Sequence, residues 1–441
     1  MLVKTHFPEI KNNVREEQRK SNSRNASGYR GEIPLNTNVY IEGELLMIYA
    51  DNAATTKITP VAKQAMIESM ELFWGNPSSL HTPGQKAAES LQKSRATVAR
   101  CIGAQPSEIY FVSGGSEADT LAIISAAKWG EKKGKKHIIS TVIEHHAVLH
   151  PLESLEKDGF EVTLVDVGED GIVDVSDIAD AIREDTALVT VMYANNEIGT
   201  IQPIAEIGEL CREKGVIFHT DAVQAIGHLP VNLKEIYVDM LSMSAHKFGG
   251  PRGIGVLYAK KRIPLHPVIS GGAQERGKRA GTENLPAIAG MAAALEVACL
   301  QMESANAHVL AMRDKLIEGL SKIPRSILNG DRYKRLAGNV SFCFEGIEGE
   351  SLLLLLSAKG IAGSSGSACT SGSLDPSHVM LAIGRPNEIA HGSLRLSLSH
   401  ENTDEEIDTI IKEVGEVVTY LRGISPLWNA YERGEKEHVI H

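Results

Sequence analysis

The sequence has few cysteines, and those it has are scattered. Its 441 residues include five cysteines, an odd number with no C-x-x-C pair among them. This spacing argues against a zinc site or a disulfide framework. A reducing cytosol is the simplest setting, so we expect a cytoplasmic protein. The five are Cys101, Cys211, Cys299, Cys343 and Cys369.

The sequence also lacks an excess of basic residues, a long apolar run and a secretory signal. The formal net charge is -11, which argues against a nucleic-acid scaffold with a basic face but leaves room for a small anionic ligand. No apolar run approaches the roughly 20 residues of a membrane span, and the N-terminus has no apolar signal core. The short run Leu352–Leu356 reads as a buried helix face. We therefore predict neither membrane association nor direct nucleic-acid binding.

Residues 1–46 differ in composition from the rest of the chain. They are polar and charged, and they show no apolar period. Such a segment is typical of a flexible N-terminal arm, with an arm ordered by a partner as the alternative. Glu16 and Glu17 argue against a mitochondrial transit peptide.

From Met47 onward, short apolar strands alternate with amphipathic helices. Strands that are apolar throughout predict a mainly parallel sheet covered on both faces. The six strand-like segments are EIYFVS, KHIIST, FEVTLVDV, TALVTVMYA, GVIFHTD and VDMLSMS.

A second, smaller α/β domain is predicted after a long connecting helix near residues 300–325. The segments GNVSFCFEG and HGSLRLSLS read as strands, and ESLLLLLSAKG reads as a helix. Thr403 stands three residues before Glu406, a capping-box spacing that begins the last long helix. We place the large domain at 62–310 and the small domain at 47–61 and 311–441.

Polar or titratable residues follow five of the predicted strands. In open α/β sheets, ligands bind beyond the carboxyl ends of the strands, so these residues together predict one pocket. They are the turn 114–117, Glu144 with His145 and His146, Asn195 with Asn196, Asp221 with Gln224, and His246 with Lys247.

Two of these strand ends have a functional and a plain interpretation. The SGGSEAD turn offers backbone N–H groups at a helix N-terminus, where phosphate binds. The alternative is an ordinary turn capped by Ser116 and Asp119. Lys247 leaves an apolar strand for a Gly/Pro-rich turn, where it could act as an amine nucleophile. The alternative is a lysine that reaches out to solvent.

Asp221 and His145 complete the predicted pocket. A charge at the end of an apolar strand is costly unless it is paired, so Asp221 could hold a protonated pyridine nitrogen. His145 could stack on an aromatic ring, or it could be a satisfied buried histidine. A phosphate cradle, an amine, a carboxylate and a flat histidine together indicate pyridoxal 5'-phosphate (PLP).

The chain resembles the cysteine desulfurases of the Nif and Isc type, within the aspartate-aminotransferase-like PLP enzymes. The resemblance runs from about Tyr49 to Tyr431. It implies the α/β PLP fold type I, with a mainly parallel seven-stranded sheet in the large domain. The smaller α/β domain would carry the catalytic cysteine. The motifs that carry the resemblance are YADNAATT, NPSSLH, SGGSEAD, EHHAVLHP, NNEIG, HTDAVQ, SAHKFGGPRGIG, RAGTEN and SSGSACTS.

The resemblance also implies a role for each site residue. Lys247 matches the lysine that attaches the cofactor, and His145 matches the histidine stacked on its ring. Asp221 and Gln224 match the groups at the ring nitrogen and the ring oxygen. The residues that match the phosphate cradle are Gly115, Ser116, Ser244 and His246.

Four further residues are assigned by the same motifs. Thr282 matches a phosphate contact from the other subunit, which implies a homodimer. Asn196 matches a residue beside cofactor and substrate. Arg395 matches the clamp on the substrate carboxylate, a task that suits a bidentate guanidinium. Cys369 matches the cysteine that accepts the sulfur.

The implied function is cysteine desulfuration, in which L-cysteine becomes L-alanine and Cys369 becomes a persulfide that supplies iron–sulfur cluster assembly. Lys247 would act as general base and acid, and His145 could assist. The alternatives are a selenocysteine lyase, a cysteine sulfinate desulfinase, or a non-catalytic sulfur-relay subunit.

The implied sulfur acceptor is an iron–sulfur scaffold protein of the IscU/NifU type, with carriers for tRNA thiolation as a further option. The tail ISPLWNAYERGEKEHVIH resembles the segment where Isc-type enzymes dock their scaffold. No metal site is expected, although Cys369 could serve as a transient cluster ligand.

The stretch GSSGSACTSGSLDP around Cys369 is rich in glycine and serine. It has little to bury and much backbone freedom, so it predicts a mobile loop that carries the thiol between substrate and acceptor. The other four cysteines have apolar neighbours and are expected to be structural.

Overall fold

The computed structural model describes residues 47–365 and 376–440. The strands within these ranges are β1 (Ile48–Tyr49), β2 (Ile109–Val112), β3 (His137–Thr141), β4 (Glu161–Val165), β5 (Thr186–Thr190), β6 (Ile217–Asp221), β7 (Met240–Ser244), β8 (Gly255–Ala259), β9 (Ser326–Leu328), β10 (Asn339–Phe344), β11 (Ile361–Ala362) and β12 (Ser393–Ser397). Seven of them form a central sheet, with the strand order β2-β8-β7-β6-β5-β3-β4. In this sheet β8 is antiparallel to both of its neighbours, and all other pairs are parallel. This confirms the mainly parallel seven-stranded sheet.

Helices cover both faces of this sheet. Alternate side chains of a strand point to opposite faces, and they enter two separate apolar clusters here. Ile139, Val189 and Phe218 lie in one cluster, while their neighbours Ile138 and Leu188 lie in the other. The helices with regular backbone are α1 (Pro60–Leu72), α2 (Thr82–Ile102), α3 (Gly115–Glu131), α4 (His146–Lys157), α5 (Val175–Ala181), α6 (Ile204–Lys214), α7 (Leu285–Leu320), α8 (Gly349–Ala358), α9 (His378–Ala382), α10 (Asn387–Ala390), α11 (Asp404–Ile424) and α12 (Pro426–Glu432). The short segment Gln274–Gly277 is a turn, because Glu275 and Arg276 lie outside the helical region of φ and ψ.

A second layer of structure follows α7. β12, β10 and β9 form a three-stranded antiparallel sheet, and β1 pairs with β11 in parallel. Their apolar side chains share a cluster with α8, α11 and Ala50 near the start of the described chain. The capping box of Thr403 and Glu406 is present at α11, as predicted. The whole described chain belongs to one compact unit, Leu46–His441, so the boundaries of the two domains stay a prediction.

The 36-residue helix α7 connects the two layers. Its first half contributes to the core under the large sheet, and its second half contributes to the core of the smaller sheet. An 18-residue window of α7 is apolar enough, by length and composition alone, to cross a membrane. This corrects the expectation that no apolar run reaches such a length. The helix α7 packs against α1 and α2, as a core helix does.

Candidate active site

The strand topology brings all five predicted strand ends to one edge of the sheet. β8 is antiparallel to β7 and to β2, so β2 runs in the same direction as β7 and its parallel neighbours. A cavity of about 480 Å³ opens at this edge, within the usual size range of ligand sites. Predicted site residues that line it are Gly115, Ser116, His145, Asn196, Asp221, Gln224, Ser244, His246, Lys247 and Arg395.

The N-terminus of α3 forms one wall of the cavity. Gly114 is the N-cap, and no side chain caps this helix, so the alternative with Ser116 and Asp119 as caps is wrong. A Cβ on Gly115 would lie 2.8 Å from Cγ2 of Val223 and 3.7 Å from Cβ of Ser244. The glycine therefore leaves the first N–H groups of a 17-residue helix beside the cavity, where they suit an anion.

Lys247 points into the cavity and not out to solvent. It lies in a 3₁₀ turn, Ala245–Lys247, directly after β7. Its Nζ donates to the carbonyl oxygens of Ala53 at 2.6 Å and Ala54 at 2.8 Å. Gln224 Nε2 also donates to the Ala53 oxygen, at 3.0 Å. The turn after β1 thus holds the amine in place, and the solvent-reaching alternative is wrong.

Asp221 ends β6 inside the cavity wall. Its Oδ1 accepts a hydrogen bond from the backbone N–H of Val223 at 2.9 Å. Burial raises the pKa of Asp221 to about 6, while the charge of Lys247 works in the opposite direction. A buried carboxyl of this kind gains most from a cationic N–H partner.

His145 is held in one neutral tautomer. It is the N-cap of α4, and its Nδ1 accepts from the backbone N–H of Ala147 at 3.0 Å. Burial, followed by the charge of Lys247, lowers the pKa of His145 to about 4. The imidazole is therefore uncharged at neutral pH and carries its proton on Nε2.

Arg395 is a buried guanidinium on β12. Its NH2 donates to Asp51 Oδ1 at 2.9 Å, and its NH1 donates to the carbonyl of Asn196 at 3.1 Å. Its Nε has no hydrogen-bond partner among the described residues. Asp51 orients the group, and the remaining N–H donors are suited to a carboxylate ligand.

These side chains fit PLP. The helix N-terminus with Ser244 and His246 would hold the phosphate, and Lys247 would hold the aldehyde carbon. Asp221 would meet the ring nitrogen, and His145 would lie against the ring. The donor set matches what the cofactor needs, an anion site, an amine and a pyridinium partner.

Several cavity residues were not predicted from the sequence. Glu197 is the clearest example, because nothing in a local pattern tells a buried carboxyl from a solvated one. Its one signal is its position, directly beside the predicted Asn196. Ser377 and His378 also line the cavity without having been predicted, whereas Glu144 and His146 lie there as the strand ends predict.

Glu144 makes stability depend on pH. Burial raises its pKa to about 8; the charge of Asp221 acts in the same direction, and the hydrogen bonds from Met192 and Thr141 act against it. Between its unfolded pKa and pH 8 the folded state keeps a proton that the unfolded state loses, so the stabilisation falls as pH rises. Glutamine cannot ionise. We expect Glu144→Gln to match the wild type at pH 5 and to melt about 2 °C higher or more at pH 8.5.

Thermal melting of both proteins from pH 5 to 8.5 measures this difference. The amide oxygen can still accept from Thr141 Oγ1 and from the N–H of Met192, as the carboxyl does now at 2.7 and 2.9 Å. A difference in melting temperature that stays constant across this range would show that Glu144 does not titrate as described.

Two predicted site residues do not lie in the described cavity. Thr282 is exposed and does not line it. Its role as a contact to another subunit stays a prediction. Cys369 lies outside the described residues, as do the N-terminal arm and most of the predicted mobile loop.

The four other cysteines are placed as expected. Cys211 and Cys343 are buried, and burial raises their pKa values to about 12 and about 11, so both are inert thiols. Cys101 on α2 and Cys299 on α7 are half-buried neighbours; Cys299 Sγ lies 3.9 Å from the carbonyl oxygen of Cys101.

The chain is similar to known proteins in both sequence and fold. The aminotransferase class-V family matches residues 48–410. A protein of Methanosarcina thermophila named cysteine desulfurase IscS is 52% identical over 380 residues, covering 86% of this chain and 94% of that protein. A solved structure titled NifS-like protein superposes with a TM-score of 0.80 at 38% identity, covering 85% and 100% of the two chains. Another, titled SspA in complex with cysteine, has a TM-score of 0.70 at 33% identity, covering 81% and 100%.

Proposed function

The chain belongs to the class-V aminotransferase family, and from this premise we propose that it is a PLP-dependent cysteine desulfurase that acts on L-cysteine. One observation carries the proposal. A single cavity collects the amine of Lys247, the buried carboxyl of Asp221, the imidazole of His145 and the guanidinium of Arg395. A relative whose title names cysteine as its ligand shares this fold.

The residues of the chain divide the chemistry among them. When bound, PLP acts as an electron sink for the carbon atoms of an amino acid. Arg395 binds the substrate carboxylate through its remaining N–H donors and fixes the orientation of Cα. Lys247 moves the Cα proton through Nζ, as general base and then as acid. Asp221 keeps a proton on the ring nitrogen, and His145 presents Nε2–H to the reacting group.

Cys369 is proposed as the acceptor of the sulfur. Its thiolate attacks the sulfur of the bound cysteine, so an S–S bond forms as the C–S bond breaks. The carbon skeleton then leaves as alanine after protonation. The described chain resumes at Pro376, which lines the cavity seven positions after Cys369. Seven residues span at most about 25 Å, a length that allows the thiol to reach the cavity.

A homodimer follows if Thr282 contacts the cofactor of the other subunit. Thr282 is exposed a few residues after a strained turn, where Glu275 and Arg276 have positive φ angles of 45° and 58°. A buried ion pair between Arg95 and Glu275, with N–O distances of 2.6 and 2.7 Å, holds this turn. Such strain persists only where the surrounding structure enforces it. The strained turn therefore supports a defined position for the exposed segment that contains Thr282.

The persulfide is proposed to pass to an iron–sulfur scaffold of the IscU/NifU type, in the cytoplasm. The C-terminal tail supports a defined docking surface because it is tied back to the smaller sheet. Val439 N–H donates to Glu345 Oε1 at 2.6 Å, and Arg325 NH1 donates to the carbonyl of Ile440 at 2.6 Å. The exposed residues between α12 and this anchor remain available to a partner.

Turnover by the purified chain tests the function. The protein is expected to bind PLP, to absorb visible light, and to release alanine and sulfide from L-cysteine in equal amounts with a thiol present. We expect selenocysteine and cysteine sulfinate to react with lower kcat/KM. A preference for either one would replace the proposal with a selenocysteine lyase or a sulfinate desulfinase. A protein that stays colourless with PLP would indicate a sulfur-relay subunit.

A further inference from the structure

The turn after β5 contacts the chain just beyond Cys369 through a buried hydrogen bond. Ser377 Oγ donates to Glu197 Oε2 at 2.5 Å. Only 7% of Glu197 and 6% of Ser377 is exposed to solvent. A serine hydroxyl has one proton, and Ser377 donates that proton in its hydrogen bond to the carboxyl of Glu197.

The same serine begins helix α9. Its Oγ accepts from the backbone N–H groups of Val379 at 3.1 Å and Met380 at 3.4 Å. One residue later, His378 Nε2 lies 3.0 Å from the carbonyl oxygen of Glu144, in the turn after β3. The start of α9 is therefore bound to two strand-end turns, and both of those turns line the active-site cavity.

The chain before Cys369 is held at the same cavity. Ser364 and Arg395 exchange two backbone hydrogen bonds, with N–O distances of 3.0 and 2.6 Å. Arg395 NH1 in turn donates to the carbonyl of Asn196, the residue before Glu197. The described chain stops just after Ser364 and resumes just before Ser377. Both ends are therefore hydrogen-bonded to residues that line the cavity, Arg395 at the first end and Glu197 at the second.

The carboxyl of Glu197 is not a hydrogen-bond partner of Arg395, the residue assigned to bind the substrate carboxylate. It accepts from Ser377, whereas Arg395 donates to Asp51 and to the carbonyl of Asn196. Burial raises the pKa of Glu197 to about 7, a value that already includes the lowering effect of the nearby charge of Arg395. A carboxyl oxygen accepts a hydroxyl proton in either protonation state, so the contact does not depend on ionisation.

We propose that Glu197 is a positioning residue for sulfur transfer, which acts by holding Ser377 at the cavity. The contact fixes the point at which the Cys369 segment ends, so it governs how often the thiol meets the substrate sulfur. This rests on the proposed function. In this role Glu197 acts through Ser377 and not on the substrate, so its loss should leave the binding of PLP and cysteine intact.

Four variants of the full-length, PLP-loaded protein test this role. Glu197→Ala and Ser377→Ala each remove the contact, the double variant removes both partners, and Glu197→Gln keeps an acceptor oxygen. Glu206→Ala is the control, because Glu206 is an exposed acid in the first turn of α6. The measurements are kcat and KM for cysteine, the spectral change on adding cysteine, and the yield of persulfide on Cys369 by mass spectrometry.

We expect each alanine variant to lower kcat and the rate of persulfide formation about tenfold, with KM within about threefold of the wild type. The double variant should be no slower than either single one, because partners in one contact are not additive. Glu197→Gln and the control should stay within about threefold of the wild type, and the spectral change should persist in every variant.

Three results would overturn the positioning role. They are an unchanged kcat in both alanine variants, a multiplied loss in the double variant, or a KM that rises in proportion to the loss. A KM that rises in this way would mean that Glu197 acts on the binding of the substrate through Arg395. A wild-type protein that does not desulfurate cysteine would instead reject the proposed function, so the two failures are distinct.

Discussion

Lys247→Ala is expected to lose the visible absorbance of the bound cofactor and to lower cysteine turnover by more than about 1,000-fold. The variant lacks the only amine that we assign both to hold the cofactor and to move the Cα proton, and removal of such a group is among the largest effects in enzymes. Methyl groups cannot replace the two hydrogen bonds that Nζ donates to the turn after β1. Absorbance spectra and alanine release measure the two losses.

Lys57→Ala is the matched control for this experiment. Its side chain is 71% exposed and its Nζ lies 3.6 Å from a carboxylate oxygen of Glu401, so its loss removes only a weak surface ion pair. We expect its spectrum and turnover to stay within about twofold of the wild type. A Lys247→Ala protein that still turned over cysteine would assign the proton transfer to another group.

Cys369→Ser should separate the sulfur step from the steps before it. The variant is expected to bind PLP and to show the spectral change on adding cysteine, because none of the cavity side chains changes. Sulfide release and persulfide formation should fall at least about 100-fold, since a serine hydroxyl is far less nucleophilic than a thiolate at neutral pH. Mass spectrometry of the alkylated protein detects the missing persulfide.

Cys101→Ser provides the control for the cysteine substitution. Cys101 is half-buried on α2, away from the cavity residues, so we expect persulfide formation to remain within about twofold of the wild type. Full sulfide release by Cys369→Ser would contradict the assignment of Cys369, whatever the control shows.

Much of the fold was predictable because its signals are local. The six predicted strands are present. A short run of apolar residues between helices is typical of a strand that is buried on both faces of a sheet, so each run is a signal that the local sequence displays. β8 was missed because its short segment GVLYA follows a Gly/Pro-rich turn that dominated the pattern. The short pair β1 and β11 was missed for a related reason. Two residues per strand carry no period that a sequence can display.

The cavity residues divide in the same way. Lys247 and Asp221 were predictable because each directly follows an apolar strand, where a charged residue needs a partner. Ser377 was not predictable, and neither was the contact of Asp51 with the cavity residue Arg395. Ser377 lies 180 positions from its partner Glu197, and Asp51 lies 344 positions from Arg395. Contacts over such distances leave no trace in the spacing of residues.

By itself, the sequence determined the alternation of strands and helices, the residues at the strand ends and the family resemblance, since all three are patterns of neighbouring residues. Only the tertiary structure decided which residues meet. Because β8 is antiparallel to β2 and β7, the carboxyl ends of β2 and β7 lie at the same edge of the sheet, which brings the N-terminus of α3 to the cavity that holds Lys247. The tertiary structure also decided the tautomer of His145 and the contact of Glu197 with Ser377. Protonation and long-range hydrogen bonds depend on burial and distance, and a linear order of residues specifies neither.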